Sequence, residues 1–272
     1  MTSSTYCRRL LEGATRHDAL VTTSTAESSA GLLPSLRPPL LAAGLGVVLV
    51  AGALAGPAYV WVGVVLAQVL LLLSWHRALG ASDPIGGMVV GGVLTVAADI
   101  AVAVKDDQVT FGPIAVVLGV GYLLAVVQQL VRRDGRAQLT ASLAATVSLA
   151  AVGALGAGWV VLPRLPEGEA VTVIAGAAVA GAALGRLLPR SWGAFIGPLV
   201  LGTAASVLVA RGYPRLESPL GWWIGIAAAI PASLAGLVQV RLPVQVAGWP
   251  ASATWPVLLA APLVYLVVRF VS

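Results

Sequence analysis

Charged residues are scarce in this chain of 272 residues: only 10% are Asp, Glu, Lys or Arg, whereas 58% are hydrophobic. Soluble globular domains carry about 25% charged residues. Because so few charges cannot solvate the surface of a soluble protein of this length, the composition excludes a cytosolic enzyme, a secreted disulfide-stabilised domain and a disordered chain. The sequence therefore predicts a protein of the lipid bilayer.

Cysteine and histidine are also nearly missing, since Cys7, His17 and His76 are the only residues of these two types. One cysteine excludes an intrachain disulfide, and together these residues are too few for a Cys- or His-based metal centre. We predict no metal and no other cofactor. The net charge of +5 is explained by membrane topology, and nucleic acid is not expected as a partner.

Apolar runs of about 20 residues, the length that spans a bilayer, recur along the chain. We predict an all-α polytopic membrane protein in which residues 1–36 form a flexible cytoplasmic tail and residues 37–272 a single transmembrane helical domain. The nine predicted spans are 38–55, 57–75, 85–104, 112–131, 138–162, 170–188, 194–210, 219–240 and 252–271. The break at Gly56-Pro57 leaves open whether residues 38–75 form two helices or one kinked helix.

The basic residues predict the orientation, because cytoplasmic loops carry an excess of Lys and Arg. Nine spans with the N-terminus inside place eleven basic residues inside and five outside. The inner set is Arg8, Arg9, Arg16, Arg37, Arg77, Arg132, Arg133, Arg136, Arg186, Arg190 and Arg241, and the outer set is Lys105, Arg164, Arg211, Arg215 and Arg269. We therefore expect a multi-pass protein of the plasma (inner) membrane with its C-terminus outside.

One acidic residue, Asp99, lies well inside a predicted span. An intramembrane carboxylate is a functional candidate by default because burying it in hydrocarbon is costly. The structural alternative is that Asp99 lies near the outer end of its helix and faces another helix or water. No second carboxylate or basic partner lies deep in another span, whereas proton and ion pathways usually need several such groups.

The inner segment from Gly185 to Gly193 is the most concentrated polar feature between spans. Arg186, Arg190, Ser191 and Trp192 form a basic loop before a helix, which suits a phosphate or lipid headgroup. The alternative is a positive-inside loop with an interfacial tryptophan. Arg241, on the same predicted side, is a further candidate for contact with anionic lipid.

Four segments carry a resemblance to a known family. They are Leu73–Gly80, the stretch from Arg132 to Glu169, the loop Pro189–Gly193 with Phe195-Ile196-Gly197, and Thr254–Leu266. In this order they resemble the phosphatidate cytidylyltransferases (CDP-diacylglycerol synthases), whose basic Ser-Pro-Lys-Lys-(Ser/Thr)-Trp-Glu-Gly loop is similar to the loop here. The resemblance implies a polytopic helical fold and an enzyme that joins CTP to phosphatidic acid.

The acidic signature of that family is degenerate in this chain. The span 170–188 contains no carboxylate, and no Asp or Glu follows Glu217, although the resemblance implies acidic metal and nucleotide ligands in both places. Mg²⁺ requires oxygen ligands, normally including carboxylates. We therefore predict no catalytic residues and no metal site.

The favoured interpretation is a non-catalytic, cytidylyltransferase-like protein, a pseudoenzyme that binds anionic phospholipid or partners another membrane enzyme or a second copy of itself. Two alternatives remain open. One is an active CTP:phosphatidate cytidylyltransferase-like enzyme using Asp99, Glu167 or Glu169, and the other is a small lipid or solute transporter using Asp99.

Overall fold

The computed structural model of the chain describes residues 32–79, 84–104, 111–131, 139–188, 195–214, 218–241 and 248–271, with backbone only at 32–35, 84, 218 and 239–241. All regular structure in these ranges is helical. The helices in chain order are α1 (Leu32–Ala55), α2 (Pro57–Leu79), α3 (Pro84–Val104), α4 (Gly112–Val131), α5 (Leu139–Gly156), α6 (Gly158–Val161), α7 (Gly168–Gly185), α8 (Ile196–Ala210), α9 (Ser218–Arg241) and α10 (Trp249–Val271). A 3₁₀ turn, Leu162–Arg164, extends α6.

Eight helical segments within the described residues are long and apolar enough to cross a membrane: α1 to α4, α7, α9, α10, and the continuous stretch Leu139–Arg164 formed by α5, α6 and the 3₁₀ turn. Helices suit this setting because they satisfy every backbone hydrogen bond internally. The predicted span 194–210 corresponds to α8, which is shorter than predicted. It has 15 residues and is about 22 Å long at about 1.5 Å per residue. The chain is a helical, multi-pass membrane protein.

Residues 38–75 form two helices, and Gly56 separates them. Gly56 has a φ of +128°, which L-residues rarely adopt, and its N–H donates to the Gly52 carbonyl at 3.0 Å. A Cβ on Gly52 would lie 2.9 Å from the Tyr59 carbonyl oxygen, and one on Gly63 would lie 3.1 Å from a methyl of Leu49. Helices α1 and α2 therefore form a tight antiparallel hairpin.

Small residues let the helix backbones approach one another, as the sequence predicts for its many glycines. A Cβ on Gly46 of α1 would lie 2.8 Å from the backbone nitrogen of Ala180 in α7. A Cβ on Gly202 of α8 would lie 2.9 Å from the Ala229 methyl in α9. Helix α4, in contrast, has large apolar side chains on its surface. Val116 is 68% exposed and faces the space that lipid tails fill in a bilayer.

The bundle has two ends that the contacts define. At one end, Gly248, just before α10, lies against Ala78 near the end of α2, and Arg186 follows α7. We call this the Arg186 end. At the other end, Nη1 of Arg164 donates to the Val102 carbonyl near the end of α3 at 3.0 Å, and we call this the Arg164 end.

Candidate functional site

Arg186 lies directly after the last residue of α7, where two helices meet almost backbone to backbone. A Cβ on Gly185 would lie 2.5 Å from the Pro198 nitrogen, and a Cβ on Gly197 would lie 2.5 Å from the Gly185 carbonyl oxygen. Neither position has room for a side chain. The start of α8 therefore fixes the backbone from which the Arg186 side chain extends.

The Arg186 side chain reaches the first turns of α10. Its Nη1 donates to the Ser252 carbonyl oxygen at 3.4 Å. In an unbroken helix that carbonyl would accept from the N–H four residues later, but this position is Pro256, which has no N–H. The Ser252 carbonyl is thus left open by the proline, and Arg186 supplies a donor for it.

The other two nitrogen atoms of the guanidinium make no hydrogen bond of this kind. Nε and Nη2 of Arg186 are inaccessible to solvent and make no hydrogen bond within the described structure. Burial lowers the pKa of Arg186 from its usual value to about 10, because the charged form loses its hydration. Nε–H and one N–H of Nη2 are parallel donors on one edge of the planar group, the edge that binds two oxygens of a carboxylate or phosphate.

No acidic side chain of the described residues is available to this edge. The acids in the described ranges are Asp99, Glu167 and Glu169, and none of them lies at the Arg186 end. Arg77, in the last turn of α2, is exposed at that end and adds a second positive charge. The described part of the Arg186 end is therefore basic.

The structure does not describe the side chains of the other predicted contact residues. Arg190, Ser191 and Trp192 lie outside the described residues, and of Arg241 only the backbone at the end of α9 is described. Of the predicted lipid- or phosphate-contact residues, Arg186 is thus the one whose side-chain surroundings are known.

Asp99 lies in a separate polar cluster that joins three helices. Its side chain is 4% exposed, and Gln68 of α2 donates through Nε2 to Asp99 Oδ1 at 3.1 Å. The same Nε2 donates to the Gly153 carbonyl of α5 at 3.2 Å. Thr95, one turn before Asp99, donates to the Gly91 carbonyl at 2.8 Å and packs against Gly153.

Asp99 therefore faces another helix, in agreement with the structural alternative given for it above. The sequence did not identify Gln68 as its partner. A lone amide in the apolar run of α2 was the one available signal. Periodicity gives the face of a helix on which a residue lies and does not give the helix that it meets.

Glu167 and Glu169 line a different feature, a cleft of about 410 Å³ at the Arg164 end that also involves Tyr213 and Pro214. Both glutamates are exposed. They lie apart from Asp99, and no group of three or more His, Cys, Asp or Glu suited to a metal ion occurs among the described residues. The structure therefore does not assemble the three acids into one centre.

Comparison with known proteins adds no information on these residues. No protein-family model matches this chain, and no curated protein or solved structure is significantly similar to it.

Proposed function

We propose that this protein is a non-catalytic, multi-pass membrane protein with a cytidylyltransferase-like order of segments that binds anionic phospholipid at its Arg186 end. The observation that carries the proposal is the enclosed edge of the Arg186 guanidinium, for which the described structure offers no anion. A buried cation without an anion is strongly unfavourable. Lipid phosphate is the most abundant anion at the depth where apolar spans end.

The proposed topology has nine crossings, with the N-terminus inside and the C-terminus outside, in the plasma (inner) membrane. Helix α8 supports the ninth crossing although it is short, because it runs antiparallel to both neighbours. Gly181 of α7 packs against Leu201, and Gly185 against Gly197. At its other end, Ala210 meets Gly221 of α9. The short helix thus lies alongside two spans of full length.

The orientation rests on the basic residues. With α8 counted as a crossing, the Arg186 end carries Arg77, Arg186 and Arg241 of the described residues, and no described acid. The Arg164 end carries both described glutamates beside its arginines. The positive-inside bias then favours a cytoplasmic Arg186 end. Cytoplasmic leaflets are also the ones that carry anionic lipid.

The test of lipid binding uses the full chain reconstituted in nanodiscs of phosphatidylcholine with or without phosphatidylglycerol. A ligand that binds only the folded state raises the unfolding temperature, so phosphatidylglycerol should raise it in the wild type. Arg186→Gln should lose this response, whereas Arg77→Gln, the control at the same end, should keep it. An unfolding temperature that does not respond to phosphatidylglycerol would contradict lipid binding.

The absence of catalysis has its own test. The purified chain, given phosphatidic acid, CTP and Mg²⁺, should form no CDP-diacylglycerol above background. Metal-dependent turnover would instead support the active transferase, with Asp99, Glu167 and Glu169 as the acids to substitute first. A membrane protein or second copy that co-purifies in fixed stoichiometry would shift the function from lipid binding to partnering.

The second candidate function is transport through the region of Asp99. It is favoured by one observation, the contact of Asp99 with Gln68 and of Gln68 with the Gly153 carbonyl, which joins three helices around a buried carboxyl group. Proteoliposomes loaded with a pH-sensitive dye test the simplest cargo, the proton. Flux that Asp99→Asn abolishes and Glu169→Gln preserves would support transport. Equal or absent flux in all three proteins would favour a purely structural hydrogen bond.

A further inference from the structure

The two edges of the Arg186 guanidinium differ in their hydrogen bonding. Nη1 makes a hydrogen bond within the protein. It donates to the Ser252 carbonyl, which lacks its usual helical donor because Pro256 has no N–H. This contact fixes the rotation of the guanidinium plane. Nε and Nη2 lie on the opposite edge, and neither has a hydrogen-bond partner in the described structure.

The two helix ends near the Arg186 side chain favour opposite charges. Arg186 follows the C-terminus of α7, where the helix dipole favours a cation. Its guanidinium contacts the fourth residue of α10, a helix of 23 residues whose N-terminus carries the positive end of its dipole and favours an anion. The end of α7 therefore stabilises the Arg186 cation, and the nearby N-terminus of α10 favours a negative charge in this region.

We propose that Arg186 binds one phosphate group through two of its oxygens, which accept from Nε–H and Nη2–H beside the end of α7. Two parallel N–H donors match the spacing of two oxygens on one phosphorus atom. This inference rests on the proposed lipid binding only for the source of the phosphate, which is a lipid headgroup or free phosphate.

The geometry makes a clear distinction between arginine and lysine at this position. Lysine carries the same charge, but its ammonium is a compact point charge without a planar fork. Charge attraction alone predicts that Arg186→Lys binds like the wild type. Two-oxygen recognition predicts that the lysine variant binds phosphate weakly, and that it also loses the contact with Ser252.

The experiment measures binding to the purified full chain in neutral detergent by calorimetry. The probes are inorganic phosphate, the short-chain lipid dioctanoyl phosphatidylglycerol, and dioctanoylglycerol, which lacks phosphate. The variants are Arg186→Lys and, as the matched control at the same end of the bundle, Arg77→Lys. Circular dichroism and gel filtration establish that each variant remains folded.

We expect dissociation constants for the phosphate-bearing probes to increase about tenfold or more in Arg186→Lys, and to stay within about twofold in Arg77→Lys. Dioctanoylglycerol should not bind at this site. Binding of both phosphate-bearing probes identifies phosphate itself as sufficient, whereas binding of phosphatidylglycerol alone identifies the lipid headgroup as the source.

A measurement on the wild type guards against a variant that fails to fold. In protein labelled with ¹⁵N-arginine, phosphate should shift one Nε–H resonance that is missing from the spectrum of Arg186→Lys or of Arg186→Gln. Equal affinity of the wild type and Arg186→Lys for phosphatidylglycerol would overturn two-oxygen binding and leave the proposed lipid binding intact. No affinity of the wild type for any anionic lipid would overturn both.

Discussion

The close approach of α7 and α8 at Gly185 gives a stability prediction that follows from distances. In Gly185→Ala the new Cβ would lie 2.5 Å from the Pro198 nitrogen, whereas unstrained contacts need about 3.5 Å. The obstructing atoms are backbone, so no side chain can rotate away. The two helices must separate by about 1 Å along their tightest contact.

Overpacking of this kind costs about 1–3 kcal/mol. Replacing glycine by alanine recovers at most about 1 kcal/mol of backbone entropy, and less at Gly185 because it is the last residue of its helix. We expect a net loss of about 1–2 kcal/mol in the free energy of unfolding, which lowers the unfolding temperature by about 2–8 °C at about 2–4 °C per kcal/mol. Because Gly185 precedes Arg186, phosphate affinity should fall as well.

The assay is thermal unfolding in detergent micelles, followed by far-ultraviolet circular dichroism. Gly119→Ala is the matched control, since Gly119 lies in the middle of the exposed face of α4 and a Cβ there would meet no atom within 4 Å. It should unfold at the wild-type temperature or slightly above it, because alanine favours the helix. The reasoning is refuted if Gly185→Ala unfolds at the same temperature as Gly119→Ala.

Three further results are expected. Trp159→Phe removes a buried N–H that donates to the Val257 carbonyl at 2.8 Å, so unfolding should cost about 1–2 kcal/mol less. Trp222→Phe, at a side chain 53% exposed, should not differ from the wild type, and equal unfolding temperatures for both variants would contradict the assignment. Gly56→Ala forces an L-residue toward a φ of +128° and should destabilise the α1–α2 hairpin by about 1–3 kcal/mol, which differential scanning calorimetry would detect. Because burial lowers the pKa of Arg186 to about 10, its guanidinium is charged below that pH. Affinity for phosphatidylglycerol, whose phosphodiester keeps a single negative charge, should be constant from about pH 7 to 9 and fall above about pH 10. Since the unfolded chain keeps this proton to higher pH, the ligand-free protein should gain stability over the same alkaline range. An affinity for phosphatidylglycerol that stays constant well above pH 10 would contradict this role of Arg186.

Most of the fold was predictable from the sequence because a bilayer imposes a length and a composition on every crossing segment. Helix α4 has the predicted bounds 112–131, and residues 38–75 form two helices, one of the two alternatives that the Gly-Pro pair left open. The prediction differed most at the first span, where the helix begins at Leu32 instead of residue 38, while α8 has 15 residues against the 17 of 194–210. Hydropathy identifies an apolar run, but it does not show how many of its residues a helix will use.

The candidate site was predictable only in part. The sequence singled out Arg186 as one of a basic group, since arginines in a short loop next to an apolar run are visible without a fold. It gave no sign that Arg186 differs from its neighbours in the loop. That difference comes from Ser252, which is 66 residues away in the chain and whose carbonyl is open because of Pro256.

From its composition and apolar runs alone, this protein is recognisable as a helical membrane protein, and Asp99 and the basic loop that includes Arg186 stand out as polar features. These conclusions depend on local composition, because hydrocarbon excludes charge and unsatisfied backbone groups wherever they occur. Only the folded arrangement shows that Gln68 meets Asp99, and that one edge of Arg186 contacts α10 while the other is buried without a hydrogen-bond partner in the described structure. Such pairings depend on which helices pack together, and packing joins residues that have no relation in sequence.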